Sequence, residues 1–174
     1  IEEVENQIEY ALLISTCAGA WRYLIGDTIK FTNKDIAEIV ITGRTKHFMS
    51  LCGEHLSVEN MNKAIEMASE HFGIAIREFT LVGIKYQNMF AHQWYIGTDD
   101  QVNQEDLARF IADQIKLLND DYAVERKHAL KEVFCKVLPP QVFMQWMEAK
   151  GKMGGQNKFP RVLKGKTSDD WQQF

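Results

Sequence analysis

The apolar residues change their spacing along this sequence, and that change most limits what the chain can fold into. Val58, Met61, Ile65, Ala68 and Phe72 fall three or four apart, which places them on one face of a helix. Ser57 precedes them as an N-cap and Gly73 follows as a stop. Leu107, Phe110, Ile111, Ile115 and Leu118 repeat the pattern and predict a second amphipathic helix over 103–118. Between the two lie IREFTLVGIKY (76–86) and FAHQWYIGT (90–98), rich in β-branched and aromatic residues. They predict a strand pair with Gln87–Asn88–Met89 in the connection. Amphipathic helices alternating with short strands predict an α+β fold, a two-layer sandwich with helices covering a small sheet.

The flanking stretches extend this pattern. DYAVERKHAL (121–130) reads as a short helix, and EVFCKVL (132–138) as a strand ended by Pro139–Pro140. A last helix over 140–150 begins with a proline in its first turn. After Lys150 the sequence turns glycine-rich and basic, with no acid until Asp169, and reads as a loop or tail outside the core. Upstream, segments 8–16, 20–31 and 35–44 read as three strands of a small antiparallel β element. FTNKD supplies a turn, and Gly26 interrupts the second strand as a bulge or close backbone approach. The boundary near GRTKHF predicts two parts, 1–44 and 45–174.

Composition narrows the function classes. A net charge of −4 argues against a strongly basic nucleic-acid binder. No apolar run approaches the roughly 18 residues of a membrane span. Three cysteines without a CxxC spacing argue against a disulfide framework or a zinc site. They predict buried free thiols in a reducing, cytoplasmic setting. The five histidines lack metal-ligand spacing. A chain opening on Ile1 reads as a piece of something larger.

Three segments carry candidate chemistry. In GAWRYLIGD (19–27), a glycine lets a ligand approach and Asp27 can accept hydrogen bonds from two vicinal hydroxyls, or serve only as a turn residue. In GRTKHFMSLCGEHLSVENM (43–61), Arg44 can meet a phosphate or lie on the surface, and two glycines bracket a stretch suited to a hinge. In the tail, Lys150, Lys152, Lys158, Arg161, Lys164 and Lys166 fall within 17 positions. They read either as a solvated basic terminus or as a source of an ammonium for a developing negative charge.

In order and spacing these segments resemble the C-terminal end of the acyl-adenylate-forming superfamily, above all the auxin-responsive acyl acid amido synthetases and their bacterial relatives. GAWRYLIGD is similar to that branch's GLYRYRVGD-type segment, TGRTKHFMSLCGEHLSVENM to its Gly-Arg hinge and Gly-Glu loop, and GGQNKFPR to its QYKTPR-type ending. Leu24 and Ile25 depart from the usual pair, and LKGK (163–166) only weakly imitates the superfamily's Ser-Gly-Lys ending.

The resemblance implies that Asp27, with Tyr23 and Arg44, binds the nucleotide of ATP. It places Thr45 and Lys46 at the hinge of a mobile C-terminal domain, and Gly53 and Glu54 on a loop serving the second half-reaction. It makes Lys158 the adenylation lysine, with Lys164 and Lys166 as alternatives. Mg²⁺ is then held mainly by phosphates and water. The sequence has no GxxxxGK[ST] or GxGxxG phosphate loop. The resemblance puts the phosphate loop and the acyl pocket in a preceding large adenylation domain, the chain's implied partner beside a carboxylic acid and an amino acid or other amine. It implies a chain inactive by itself, with neither nucleic acid nor membrane as partner. The alternatives are an acyl-CoA ligase of the phenylacetate type and a non-catalytic α+β interaction module whose basic tail binds RNA or an acidic partner.

Overall fold

The structure, a computed structural model, describes residues 3–44, 55–152 and 158–174. The chain divides into two compact units, Ile1–Phe48 with Ser57–Glu59, and Met49–Leu56 with Asn60–Phe174.

The first unit is an antiparallel meander of β1 (Glu9–Ile14), β2 (Tyr23–Asn33) and β3 (Glu38–Arg44), in that order. Gly19, at φ 98, sits in the β1–β2 turn, where the Thr16 amide donates to the Ala20 carbonyl at 2.8 Å. FTNKD turns as expected. The Asn33 side chain accepts from the Asp35 amide at 3.1 Å and caps a short 3-10 turn, Lys34–Ile36. Ile29 and Phe31 are buried in this unit, and Tyr10 meets Phe31 edge-on at 6.3 Å.

The second unit is built on a mixed four-stranded sheet of order β6 (Leu130–Leu138), β5 (Met89–Gly97), β4 (Glu78–Tyr86) and β7 (Val162–Leu163). Helix α1 (Val58–Phe72) ends where Gly73 takes φ 63, and the Ile74 amide bonds back to the Ser69 carbonyl at 3.1 Å. Strands β4 (Glu78–Tyr86) and β5 (Met89–Gly97) form the expected hairpin. Its connection is two residues, because Met89 pairs with Tyr86 and belongs to β5; Gln87, at φ 54, makes the tight turn. Asn103 caps α2 (Gln104–Leu118) by accepting from the Glu105 and Asp106 amides at 2.9 and 3.1 Å. Asn119 does the same for α3 (Asp120–His128), accepting from the Tyr122 amide at 2.7 Å. Strand β6 (Leu130–Leu138) runs parallel to β5, and α4 (Pro140–Ala149) opens on the expected proline.

Both faces of this sheet are covered. Trp94 and Tyr95 are neighbours on β5, point to opposite faces, and are both buried. On the Trp94 face, His92 stacks on Tyr122 of α3 at 5.7 Å, while Phe110 of α2 meets His71 and Phe72 of α1 at 4.2 and 5.5 Å. These helices form the layer the sequence predicts. On the Tyr95 face lies a second cluster: Val82, Phe143, Trp146, Met147, Phe159, Leu163 and Trp171.

That cluster corrects the reading of the segment after Lys150 as a tail outside the core. Residues 158–174 add β7 (Val162–Leu163), parallel to β4, and α5 (Lys166–Gln173). Phe159, Leu163 and Trp171 are each less than 5% exposed.

The thiols also depart in part from expectation. Cys17 is exposed in the β1–β2 connection, Cys135 is largely covered on β6, and Cys52 lies outside the described residues. Burial pushes the Cys135 thiol up to about 12, so it stays protonated at neutral pH and is a poor nucleophile.

Candidate functional site

The Gly26–Asp27 pair sits where β2 leaves its regular ladder. Ala11 pairs with Thr28 and Leu13 with Leu24, so Ile25, Gly26 and Asp27 together oppose a single residue of β1. Gly26 takes φ 90, which side-chain-bearing residues rarely adopt. The interruption expected from the glycine is therefore a bulge, and a bulge re-aims the residue beside it. Gly26 is buried and Asp27 half-buried.

On the other edge, β2 pairs Asp27 with Arg44 and Thr28 with Gly43. The fold thus brings the backbones of two of the expected nucleotide-binding residues directly across from each other, at the end of the meander. A second irregularity follows, where Thr42 is extra on β3 between Gly43 and Ile41. The Thr42 hydroxyl bonds to Glu9 and, at 3.1 Å, to Thr28, tying all three strands beneath Asp27. A methyl at Gly43 would meet the Thr28 Oγ1 at 3.3 Å, so this corner packs tightly. Tyr23 opens the same strand, pairs with Ile14 and is 57% exposed. Thr45, Lys46, Gly53 and Glu54 lie outside the described residues.

In the second unit, the tail cations separate by environment. Lys150 pairs with Asp170 at 2.5 Å and lies 5.6 Å from the Trp146 ring centroid. Lys166, in the first turn of α5, acts at longer range on the same carboxyl. Together, led by the Lys150 hydrogen bond, they hold Asp170 below the usual carboxylate range. Arg161 pairs with Glu78 at 2.6 Å. Lys158 is exposed, and the next residue, Phe159, is buried between Phe143, Trp146 and Trp171 at 4.9–5.1 Å between ring centroids. Lys164 is exposed beyond Leu163. The polar anchors Glu78 and Asp170 were not anticipated from sequence; the only signal was that acids recur opposite a basic stretch.

A further cavity of about 440 Å³ opens between α2 and β6, lined by Arg109, Lys116, Arg126, Glu132 and Cys135 among others. None of the expected site residues lines it.

A three-stranded antiparallel sheet in one unit and a mixed four-stranded sheet with helices in the other define a mixed α/β chain. Residues 59–167 match the GH3 family C-terminal domain and residues 1–44 the GH3 family central domain. The chain belongs to the GH3 family. Comparison with curated proteins gives no match. Among solved structures, it is similar to GH3.15 acyl acid amido synthetase, with a TM-score of 0.71 and 19% identity over 98% of this chain and 34% of that one. A second structure, AtGH3.15 acyl acid amido synthetase in complex with 2,4-DB, gives a TM-score of 0.72 and 19% identity over 98% and 33%. The chain thus spans about a third of the length of these neighbours, which share its fold. Among the described residues no helix is long and apolar enough to cross a membrane.

Proposed function

We propose that this chain is the C-terminal portion of an ATP-dependent acyl acid amido synthetase. Residues 1–44 are the last β segment of its large adenylation domain, and 45–174 its small mobile domain. The observation that carries this reading is the match to two successive GH3 domains in order along one chain. In the proposed reaction a carboxylate attacks the α-phosphate of Mg·ATP, forming an acyl-adenylate and releasing pyrophosphate. An amine then attacks the activated carbonyl, forms the amide and releases AMP.

The chain's own residues supply positioning and charge. Asp27, set in the β2 bulge, accepts hydrogen bonds from the ribose hydroxyls. Arg44, opposite it on β3, supports the ribose or phosphate, with Tyr23 further along the strand. Lys158 meets the carboxylate and α-phosphate during adenylation. Thr45 and Lys46 serve as hinge, and Gly53 and Glu54 as the loop of the transfer step. ATP and Mg²⁺ are the cofactors, the cytoplasm the setting, and neither nucleic acid nor membrane is a partner. The engagement of Lys150 with Asp170 and of Arg161 with Glu78 favours this reading over an RNA-binding tail, because two of the tail's cations are committed internally.

Carboxylate-dependent ATP–pyrophosphate exchange tests the proposal. The longer polypeptide carrying this sequence is expected to catalyse exchange, and this chain alone is not. Exchange above background by the isolated chain, or none by the longer one across a panel of acids, would contradict it.

A further inference from the structure

We propose that Arg161, locked to Glu78, is a positioning residue that sets Lys158 for adenylation; the inference rests on the Lys158 reading above. A lysine side chain is a point charge on a flexible four-carbon stem, so its placement depends on where its backbone is held. Here the backbone is held from the very next residue. Phe159 is buried in the aromatic cluster. The Pro160 carbonyl accepts from the Thr80 hydroxyl at 2.8 Å, and the Arg161 carbonyl from the Leu81 amide at 2.9 Å. Val162 and Leu163 then pair with Leu81 and Val82.

Arg161 gathers these anchors at the first residues of β4. Its Nη1 donates to Glu78 Oε1 at 2.6 Å and to the Phe79 carbonyl at 3.1 Å, and its guanidinium lies 4.3 Å over the Phe79 ring. Consecutive Cα atoms are about 3.8 Å apart, so a segment fixed at 159–163 leaves Lys158 a short tether. The Arg161–Glu78 pair is about a quarter exposed on each side. Three quarters of each side chain is shielded from water, so the pair holds a defined geometry. Its three directed contacts fix the register of 161–163 along β4, three residues from Lys158. Register is what a cation needs if it is to meet charge that develops at one point.

The test uses the longer polypeptide, with the two half-reactions measured separately: pyrophosphate exchange for adenylation, and amide formation from supplied acyl-adenylate for transfer. Lys158→Ala supplies the reference. Arg161→Ala and the milder Glu78→Gln are expected to slow adenylation by about 10- to 100-fold. Transfer should stay within about twofold, because only the orientation of Lys158 is lost. Amide exchange at Phe159 and at Arg161–Leu163 should rise in both variants. Adenylation lost in Lys158→Ala but retained in both latch variants would overturn the latch and leave the Lys158 reading standing. Equal loss of both half-reactions in the latch variants would mark a purely structural pair and overturn the latch as well. Adenylation retained in Lys158→Ala would overturn the Lys158 reading, and the latch with it.

Discussion

Gly26 and Asp27 show what a single residue type can disclose. A glycine inside a strand-like run signals a bulge, and at φ 90 it makes one, taking Asp27 out of the ladder with β1 while its pairing with Arg44 of β3 is kept. The opposing place of Arg44 was not legible, because register depends on the turn at Lys34–Ile36 and on the extra residue Thr42 in β3. If Asp27 grips the ribose, Asp27→Ala in the longer enzyme removes two hydrogen bonds to a charged acceptor, on the order of 2–4 kcal/mol. The kcat/KM for ATP should fall by roughly two orders of magnitude, with the KM for the acid little changed. Steady-state kinetics checks this, and an unaltered ATP dependence would remove Asp27 from the site.

Among the elements, β1 to β6 and α1 to α4 were legible, and β7 and α5 were not. Helices α1, α2 and α4 stand within a residue of their expected bounds because apolar spacing agrees with the boundary residues Gly73, Asn103 and Pro140. Helix α5, KTSDDWQQ, has one large apolar residue, Trp171, too few to mark an apolar stripe in the sequence. Its place is set by tertiary packing: Trp171 meets Tyr95, Phe143, Trp146 and Phe159 at 5.0–5.7 Å. Trp171→Ala is expected to destabilise the second unit by about 3–5 kcal/mol, read from denaturant unfolding of this chain.

The Lys150–Asp170 pair ties α5 to the end of α4. Because Asp170 is held below its ordinary value, the stabilisation it brings is present above the unfolded carboxyl value, near 3.9, and is lost as pH falls through the folded value. Asp170→Asn should therefore lower Tm at pH 7 and leave it unchanged once the native carboxyl is also protonated. A constant difference across that range would deny the pair its role.

For the whole molecule, motif order carried more than composition did. Net charge and hydrophobic content describe any soluble domain. Three short segments in sequence resembled one superfamily, and the family assignment and the fold agree with that resemblance. The core role of the segment after Lys150 escaped the sequence reading because glycines and lysines there dilute three buried anchors, Phe159, Leu163 and Trp171. Such anchors are visible only as isolated aromatics and a leucine in a polar stretch.

Product analysis of the longer polypeptide separates amide synthesis from thioester synthesis: Mg·ATP, a panel of carboxylic acids, and either amino acids or CoA, with products identified by mass. AMP and an N-acyl amino acid are expected in equal amounts with at least one acid, and no thioester. A CoA thioester in place of the amide, or no AMP with any acid, would contradict amide synthesis.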